Sequence, residues 1–571
     1  MPTPQLTRRR MLGTVAALGA ANLLALPSAL ARTIPGAVQN GKAFTLVDSY
    51  IADHMKEFFV PGMSLGVASR AAVIGTSGYG LNDLKLKTPV TTSHLFQVGS
   101  ISKSFVALVL LGLHDEGKLD FQQPIASYLP WLRIKSPFRP ITVHDLLTHT
   151  SGLARTNMAF PPDAAADIEP GYAPGERYSY SNFAYQILGA LIEQLDGRDF
   201  NESIRVRIFA PLGMNNSTGI IGNAIRERMA TSYEPLFDDR PHPRGGRLRE
   251  ASMLVFDNAA GSVASTPGDM ALYLQMLARG GMGPQGRIVS EAAFKLFTTA
   301  HTKSAEPGPN AGYGYGIHVD QVDGRAVLHH TGGMPSFSSA IYIDMDAGIG
   351  AYVSTNHSQS GYRPTAVAKF AVEALCASQQ GKLLPAAPAA VDVRLVPNSK
   401  DYAGIYTMAD GRTLDILSDS AHLFLKHKGM LVPLELRGPD RFLVLHPDFS
   451  MFILGFGRSG GGMTPVVEAF YGADWYAGAG YEGPREFSYP KEWDGYAGTY
   501  RRDDGFQTVV VLRKGQLWRS GLVPLLPLAP GLFKPGDAKD TPDRIAFSHP
   551  AQGKAWRMRM NDVDCWRVRP G

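Results

Sequence analysis

The Pro/Ala-rich stretch Gly381 to Ala390 divides the chain into two parts that cannot share one architecture. Before it, segments with helical periodicity alternate with β-like runs. After it come short alternating strands with Gly/Asp turns and almost no helix. The 571 residues also exceed what one hydrophobic core can organise. Several domains are therefore expected, with the mixed α/β part first and the all-β part last.

In the first part, Phe44 to Phe59 reads as a helix, and Met63 to Ser69 with Ala71 to Gly78 as paired strands. Phe183 to Leu195 is a helix closed near Gly197, and Thr266-Pro267 starts another with proline in its first turn. Strands are expected at Ala326–His330, Ser338–Met345 and Ile349–Thr355, with a last helix from Thr365 to Cys376. Strands, a helical block, strands again and a terminal helix imply an antiparallel sheet with a helical subdomain, an α/β (α+β) domain. In the second part Tyr402-Ala403-Gly404-Ile405-Tyr406 recurs 94 residues on as Tyr496-Ala497-Gly498-Thr499-Tyr500. Two small all-β barrels or sandwiches in tandem follow from that repeat. The expected boundaries are 32–380 for the α/β domain, 381–397 for the linker, and 398–489 and 490–571 for the two β-domains.

Three motifs carry the chemistry. Ser100-Ile101-Ser102-Lys103 opens a run, Ile101 to Leu113, that is almost wholly apolar, with Gly117 as its stop. On a helix positions i and i+3 share a face, so Lys103 can reach the Ser100 hydroxyl. A serine is a poor nucleophile until a base takes its proton, and a lysine in apolar surroundings has a depressed pKa, so Lys103 can either accept that proton or hold the neighbouring Tyr180 anionic. Tyr180-Ser181-Asn182 supplies a phenol for general acid–base work, and Asn182 supplies an amide to bond Lys103 and the substrate, or a cap for the following helix. His330-Thr331-Gly332 should end an edge strand facing the serine, with Gly332 and Gly333 letting a substrate backbone pass. Backbone N–H groups of Ser100 and Gly333 can then form an oxyanion hole. His329 alternates to the other face and reads as structural.

Other matches fail on context. Ser488-Tyr489-Pro490-Lys491 has a proline where a helical turn would be needed, and Gly457-Arg458-Ser459-Gly460-Gly461 is followed by glycines and Pro465 instead of a helix. His144, His149 and His301 are scattered and read as structural, and neither metal-ligand spacing nor a phosphate loop is visible. No cofactor is expected.

Residues 1–31 read as an export signal. Arg8, Arg9 and Arg10 form a twin-arginine n-region, Leu12 to Leu26 an apolar run, and Ala29-Leu30-Ala31 a small-x-small cleavage site. The expected location is periplasmic or secreted, without a stable membrane anchor. The formal charge is +5, of which those three arginines contribute three, leaving +2 and no case for nucleic-acid binding. Cys376 and Cys565 are the two cysteines; folding in a reducing cytosol before export favours two buried thiols over a disulfide.

Residues from about 40 to 376 resemble the serine β-lactamase and penicillin-binding-protein superfamily, in its class C-like branch of esterases, D-aminopeptidases and D,D-peptidases. The resemblance rests on Phe96-Gln97-Val98-Gly99-Ser100-Ile101-Ser102-Lys103, Leu146-Leu147-Thr148-His149-Thr150-Ser151-Gly152-Leu153, Pro174-Gly175-Glu176 with Tyr180-Ser181-Asn182, and His330-Thr331-Gly332-Gly333. It implies the β-lactamase/transpeptidase-like fold and a covalent acyl-Ser100 intermediate without cofactor. Lys103 and Tyr180 are then the proton-transfer groups, and Asn182, His330, Thr331, Gly332 and Gly333 line the substrate. The Tyr-Ala-Gly-x-Tyr segments look like the lipocalin-like C-terminal domains of some D-aminopeptidases. His330 stands where β-lactamases and D,D-carboxypeptidases usually carry lysine, and a mostly neutral imidazole, titrating near 6.5, partners a carboxylate poorly. The expected activity is a peptidase or amidase on small D-residue peptides, or a carboxylesterase. A weak β-lactamase or D,D-carboxypeptidase is the alternative, and a non-catalytic binding protein is the rival of another class.

Overall fold

The computed structural model describes residues 31–33, 41–155, 168–237, 239–304, 311–358, 362–390, 392–460, 462, 464–503, 505–536, 541–561 and 563–568. Apart from Ala31, the expected export signal lies outside the described residues.

The first part is built on an antiparallel sheet of ten strands: β1 (Ala31–Thr33), β2 (Gly62–Ser69), β3 (Val73–Asp83), β4 (Thr88–Pro89), β5 (Thr302–Lys303), β6 (Gly312–Tyr313), β7 (His318–Val322), β8 (Arg325–Gly333), β9 (Ser338–Asp344) and β10 (Ile349–Thr355). Their order across the sheet is β1-β3-β2-β10-β9-β8-β7-β6-β5, with β4 paired to the end of β3. The period of two sorts the side chains. Along β9, Ala340 and Tyr342 face helices α1 (Gly41–Phe58) and α5 (Thr365–Gln379), whereas Ile341 and Ile343 face a larger helical block.

That block contains α2 (Ser102–Asp115), α3 (Asn182–Asp196) and α4 (Pro267–Ala278). Helix α2 runs through its middle and is buried on every side from Ser102 to Leu111, which explains a sequence apolar all round. Gly197 closes α3 in a left-handed conformation (φ 69°), and the Thr266 hydroxyl caps α4 by accepting from Asp269 N.

Beyond the linker stand two closed barrels of eight antiparallel strands, as the repeat implies. The first runs from Gly404–Thr407 to Asp474–Ala477, the second from Gly498–Arg501 to Val563–Arg567. The repeated motif does the same thing in each. The Tyr406 hydroxyl donates to Tyr402 O at 2.9 Å, and the Tyr500 hydroxyl donates to Tyr496 O at 2.8 Å. Both cysteines are buried thiols, Cys376 under the sheet and Cys565 inside the second barrel.

The linker is not the sole connection between the parts. The Arg437 guanidinium donates to His242 O at 2.5 Å, joining the first barrel to the α/β domain. Asp543 of the second barrel accepts from Arg155 N at 3.2 Å. Arg513 is buried between the barrels, donating to Gly472 O at 2.8 Å and lying 4.0 Å from the Phe470 ring centre. The sequence carries no signal for such contacts between distant residues.

Burial pushes His54 down to about 4 and His318 to about 3. As pH falls below 6.5 the unfolded chain therefore takes up protons that these folded-state rings refuse, so stability falls. Each group costs about 1.4 kcal/mol per pH unit until its folded pKa is reached. Melting temperature should drop between pH 6.5 and 4. His54→Gln, which can still bond the Tyr362 hydroxyl, should shallow that slope in a fluorimetric melt.

Candidate active site

Ser100 sits in a three-residue 3-10 turn, Gly99–Ile101, and the α-helix begins at Ser102, two residues later than the sequence suggests. The tighter turn eclipses i and i+3, so the pairing survives the shift: Lys103 Nζ lies 3.0 Å from Ser100 Oγ. Gly99 is left-handed (φ 55°), and a Cβ there would sit 2.8 Å from Gly333 N. Only glycine lets the serine turn lie so close to the end of β8.

Lys103 is fully buried. Besides Ser100, its Nζ meets Asn182 Oδ1 at 2.7 Å and Ala260 O at 2.7 Å. All three partners are uncharged, and burial holds the amine well below its usual 10.5. A neutral amine has two N–H donors and one lone pair. Asn182 Oδ1 and Ala260 O can only accept, so they take both donors and leave the lone pair facing the Ser100 hydroxyl. Asn182 is free for this because Ser181 caps α3, its Oγ accepting from Ala184 N at 3.1 Å. The cap that the sequence offered to Asn182 thus falls to its neighbour. Ala260, a backbone acceptor, leaves no mark in a sequence.

Tyr180 borders the same amine, with Nζ 4.9 Å from its ring centre. His149 packs behind it at 4.3 Å between ring centres. The other two scattered histidines also meet: His144 Nδ1 bonds the Tyr315 hydroxyl at 2.8 Å, and His301 stacks on that ring at 4.4 Å.

His330, Thr331, Gly332 and Gly333 end β8, which is an internal strand, not the expected edge. Pairing with β7 stops at His329 opposite His318, however, while pairing with β9 continues to Gly333. The last four residues are therefore a local edge, and the Gly99 turn packs there; a methyl on Gly332 would collide with Val98 O. His330 is 2 % exposed. Its Nδ1 bonds Thr331 O at 2.7 Å and its Nε2 the Tyr313 hydroxyl at 3.1 Å, the pattern of a neutral ring. Burial and the neighbouring His318 and Lys103 push it well below 6.5. The expected titration near 6.5 is corrected accordingly. His329 is structural, as expected: it stacks on His318 at 5.0 Å.

Arg363 was invisible to motif reading. It follows β10 and precedes α5, and its guanidinium lies where a side chain on Gly333 would project. Its Nη1 donates to Tyr362 O at 2.6 Å. A cation thus stands beside this strand although the motif carries histidine instead of lysine. A cleft of about 460 Å³ opens past Gly333, lined by Met334, Phe337, Ser336, Ser232, Met253 and Leu254, among others.

Elsewhere, one group among the described residues has metal-ligand character: His427, His446 and Asp448 in the first barrel. Sequence spacing did not suggest it. The Asp448 carboxylate already meets Lys428 Nζ and His427 Nε2, both at 2.8 Å, so a lysine ammonium stands in any cation's place.

A sequence model of the Beta-lactamase family matches residues 47–374, more than half of the chain. The chain belongs to the beta-lactamase family. Members of this family are serine hydrolases, and in this chain the Ser100 hydroxyl and the Lys103 amine meet at 3.0 Å. Penicillin-binding protein 4 of Amycolatopsis lactamdurans is 29% identical over 284 residues, covering 47% of this chain and 73% of that protein. Penicillin-binding protein 4* of Bacillus subtilis is 25% identical over 383 residues, 62% of this chain and 81% of that one. The octameric penicillin-binding protein homologue from Pyrococcus abyssi shares the fold, with a TM-score of 0.53 and 24% identity over 76% of this chain and 99% of its own.

Lys103→Arg should abolish turnover, because a guanidinium stays protonated and offers no lone pair. In the wild-type protein kcat/KM should fall as pH drops through the depressed lysine pKa and level off well below pH 10.5. A pH–rate profile with a neutral ester measures both.

Proposed function

We propose that the chain is an exported acyl-enzyme hydrolase that cleaves amide or ester bonds in small peptide-like substrates, as a D-aminopeptidase-like amidase or a carboxylesterase. The observation that carries this reading is the set of three bonds on Lys103 Nζ, which turns its lone pair to Ser100. In the first step Lys103 takes the Ser100 proton while Oγ attacks the substrate carbonyl. The N–H groups of Ser100 and Gly333 receive the oxyanion. Tyr180 gives a proton to the leaving amine or alcohol, and water then cleaves the acyl-serine by the reverse route. The chain needs no cofactor for these steps.

Two features bear on the substrate. The second barrel reaches the site's support: Arg155, whose N–H donates to Asp543, accepts from Asn182 N at 3.5 Å, and Ala154 O accepts from the Ser181 hydroxyl at 2.6 Å. A barrel leaning on that segment favours short substrates over polymers. Arg363 favours substrates with a carboxylate beside the scissile bond, which keeps β-lactam or D,D-carboxypeptidase activity as a second reading.

Ser100→Ala should abolish turnover of every substrate and leave the melting temperature unchanged. A fluorophosphonate should label the peptide containing Ser100. In a panel of D- and L-amino-acid p-nitroanilides, acyl esters and nitrocefin, the amidase reading expects D-residue anilides or esters to lead. Nitrocefin in the lead selects the second reading.

A charge-assisted bond to a carboxylate is worth about 1.5–3 kcal/mol, so Arg363→Gln should raise KM for carboxylate-bearing substrates about tenfold or more. Neutral esters should be unaffected. Equal effects on both would remove Arg363 from the binding site.

A further inference from the structure

His149 is a buried histidine with no role in the steps above, yet its contacts converge on one catalytic side chain. Its backbone is left-handed (φ 58°), a conformation uncommon outside glycine and adopted more readily by asparagine, aspartate and histidine than by other side chains. It follows the short helix Val143–Leu147, whose Asp145 holds both ends of a capping box with Thr142 and a two-pronged ion pair with Arg139. Arg139 also donates to Pro174 O at 3.0 Å, and Gly175 N donates to Thr150 O at 2.8 Å. The helix and the loop leading to Tyr180 are thereby bound together before His149 contributes anything.

His149 then bonds the residue on each side of Tyr180. Ser179 N donates to its carbonyl at 2.8 Å, and Ser181 N donates to its Nδ1 at 3.0 Å. Between these two bonds the Tyr180 ring lies 4.3 Å from the imidazole, inclined at 37°. Tyr313 at 4.9 Å and Tyr185 at 5.0 Å pack around the same imidazole, and its residue is fully buried. Because Nδ1 accepts, the ring is neutral and carries its proton on Nε2.

We infer that His149 is a positioning residue that fixes the orientation of Tyr180 by clasping the backbone on either side of it and backing its ring. The strained backbone fits this role, since the left-handed turn is what points carbonyl and imidazole at two residues separated by one. The inference rests on the proposed part of Tyr180 in proton transfer, and the experiment separates the two.

Four proteins are compared with one good anilide: wild type, Tyr180→Phe, His149→Leu and the double variant, each with its melting temperature. Tyr180→Phe alone tests the underlying reading; a kcat near wild type would remove the phenol from the mechanism. With that loss in hand, His149→Leu should lower kcat about tenfold to a hundredfold with KM within about threefold, a fraction of what general acid–base catalysis supplies. In the Tyr180→Phe background the same substitution should cost almost nothing further, because it acts through the missing hydroxyl. An equal loss in both backgrounds would overturn the clasp in favour of a general packing role.

His149→Asn carries the test if the leucine variant does not fold. Asparagine tolerates the left-handed backbone and sets an oxygen where Nδ1 stood. It should recover kcat to within about fivefold of wild type, with the residual loss again absent without the phenol. An asparagine variant whose kcat is as low as that of the leucine variant, or whose loss persists in the Tyr180→Phe background, refutes the inference.

Discussion

Everything at the site depends on keeping one amine out of water. A lysine ammonium sealed in protein without a counter-ion costs several kcal/mol, and it sheds that cost by giving up its proton. Asn182, Ala260 and Ser100 make this a useful outcome, since two obligate acceptors leave only one direction for the lone pair. The long apolar helix α2 is therefore more than scaffold. Its burial on all sides provides the dry surroundings that lower the pKa of Lys103.

The sheet brings the second half of the site to that helix. Strand β8 outlasts its neighbour β7 by four residues, and those four meet the Gly99 turn at a distance only glycines on both sides permit. A helix start and a strand end, each held by its own backbone hydrogen bonds, thus face each other across the site. His330 contributes from within, tying Tyr313 to the strand.

Much of this was legible. Ser100, Lys103 and the Tyr180-Ser181-Asn182 loop are local patterns, and the recurring Tyr-Ala-Gly-x-Tyr names a hydrogen bond made twice in two barrels. What was not legible has a common cause. Arg363 reaches Gly333 only because β8, β9 and β10 pair in a particular register. Asp543 reaches Arg155 across 388 residues, and the acceptor at Ala260 is a backbone atom that any residue would supply. His330 stands at the strand end that its motif implies, but its titration is misjudged from sequence, since burial is a property of neighbours and not of the motif. His149 lay within a motif that was recognised, yet nothing in its spacing says that it touches both sides of Tyr180.

The way the sheets terminate bears on how readily a foreign strand could pair with such a chain. An open sheet edge offers unpaired N–H and C=O groups to any passing strand, and long flat edges seed aggregation. Here the two barrels close on themselves, so among the described residues sixteen strands expose no lateral edge. Among the described residues the large sheet ends in β1, three residues long, and β5, two residues long. Edges that short give a foreign strand too little ladder to hold. For a chain so rich in β-structure, the way its sheets finish removes one route to edge-to-edge pairing, and does so without a large net charge.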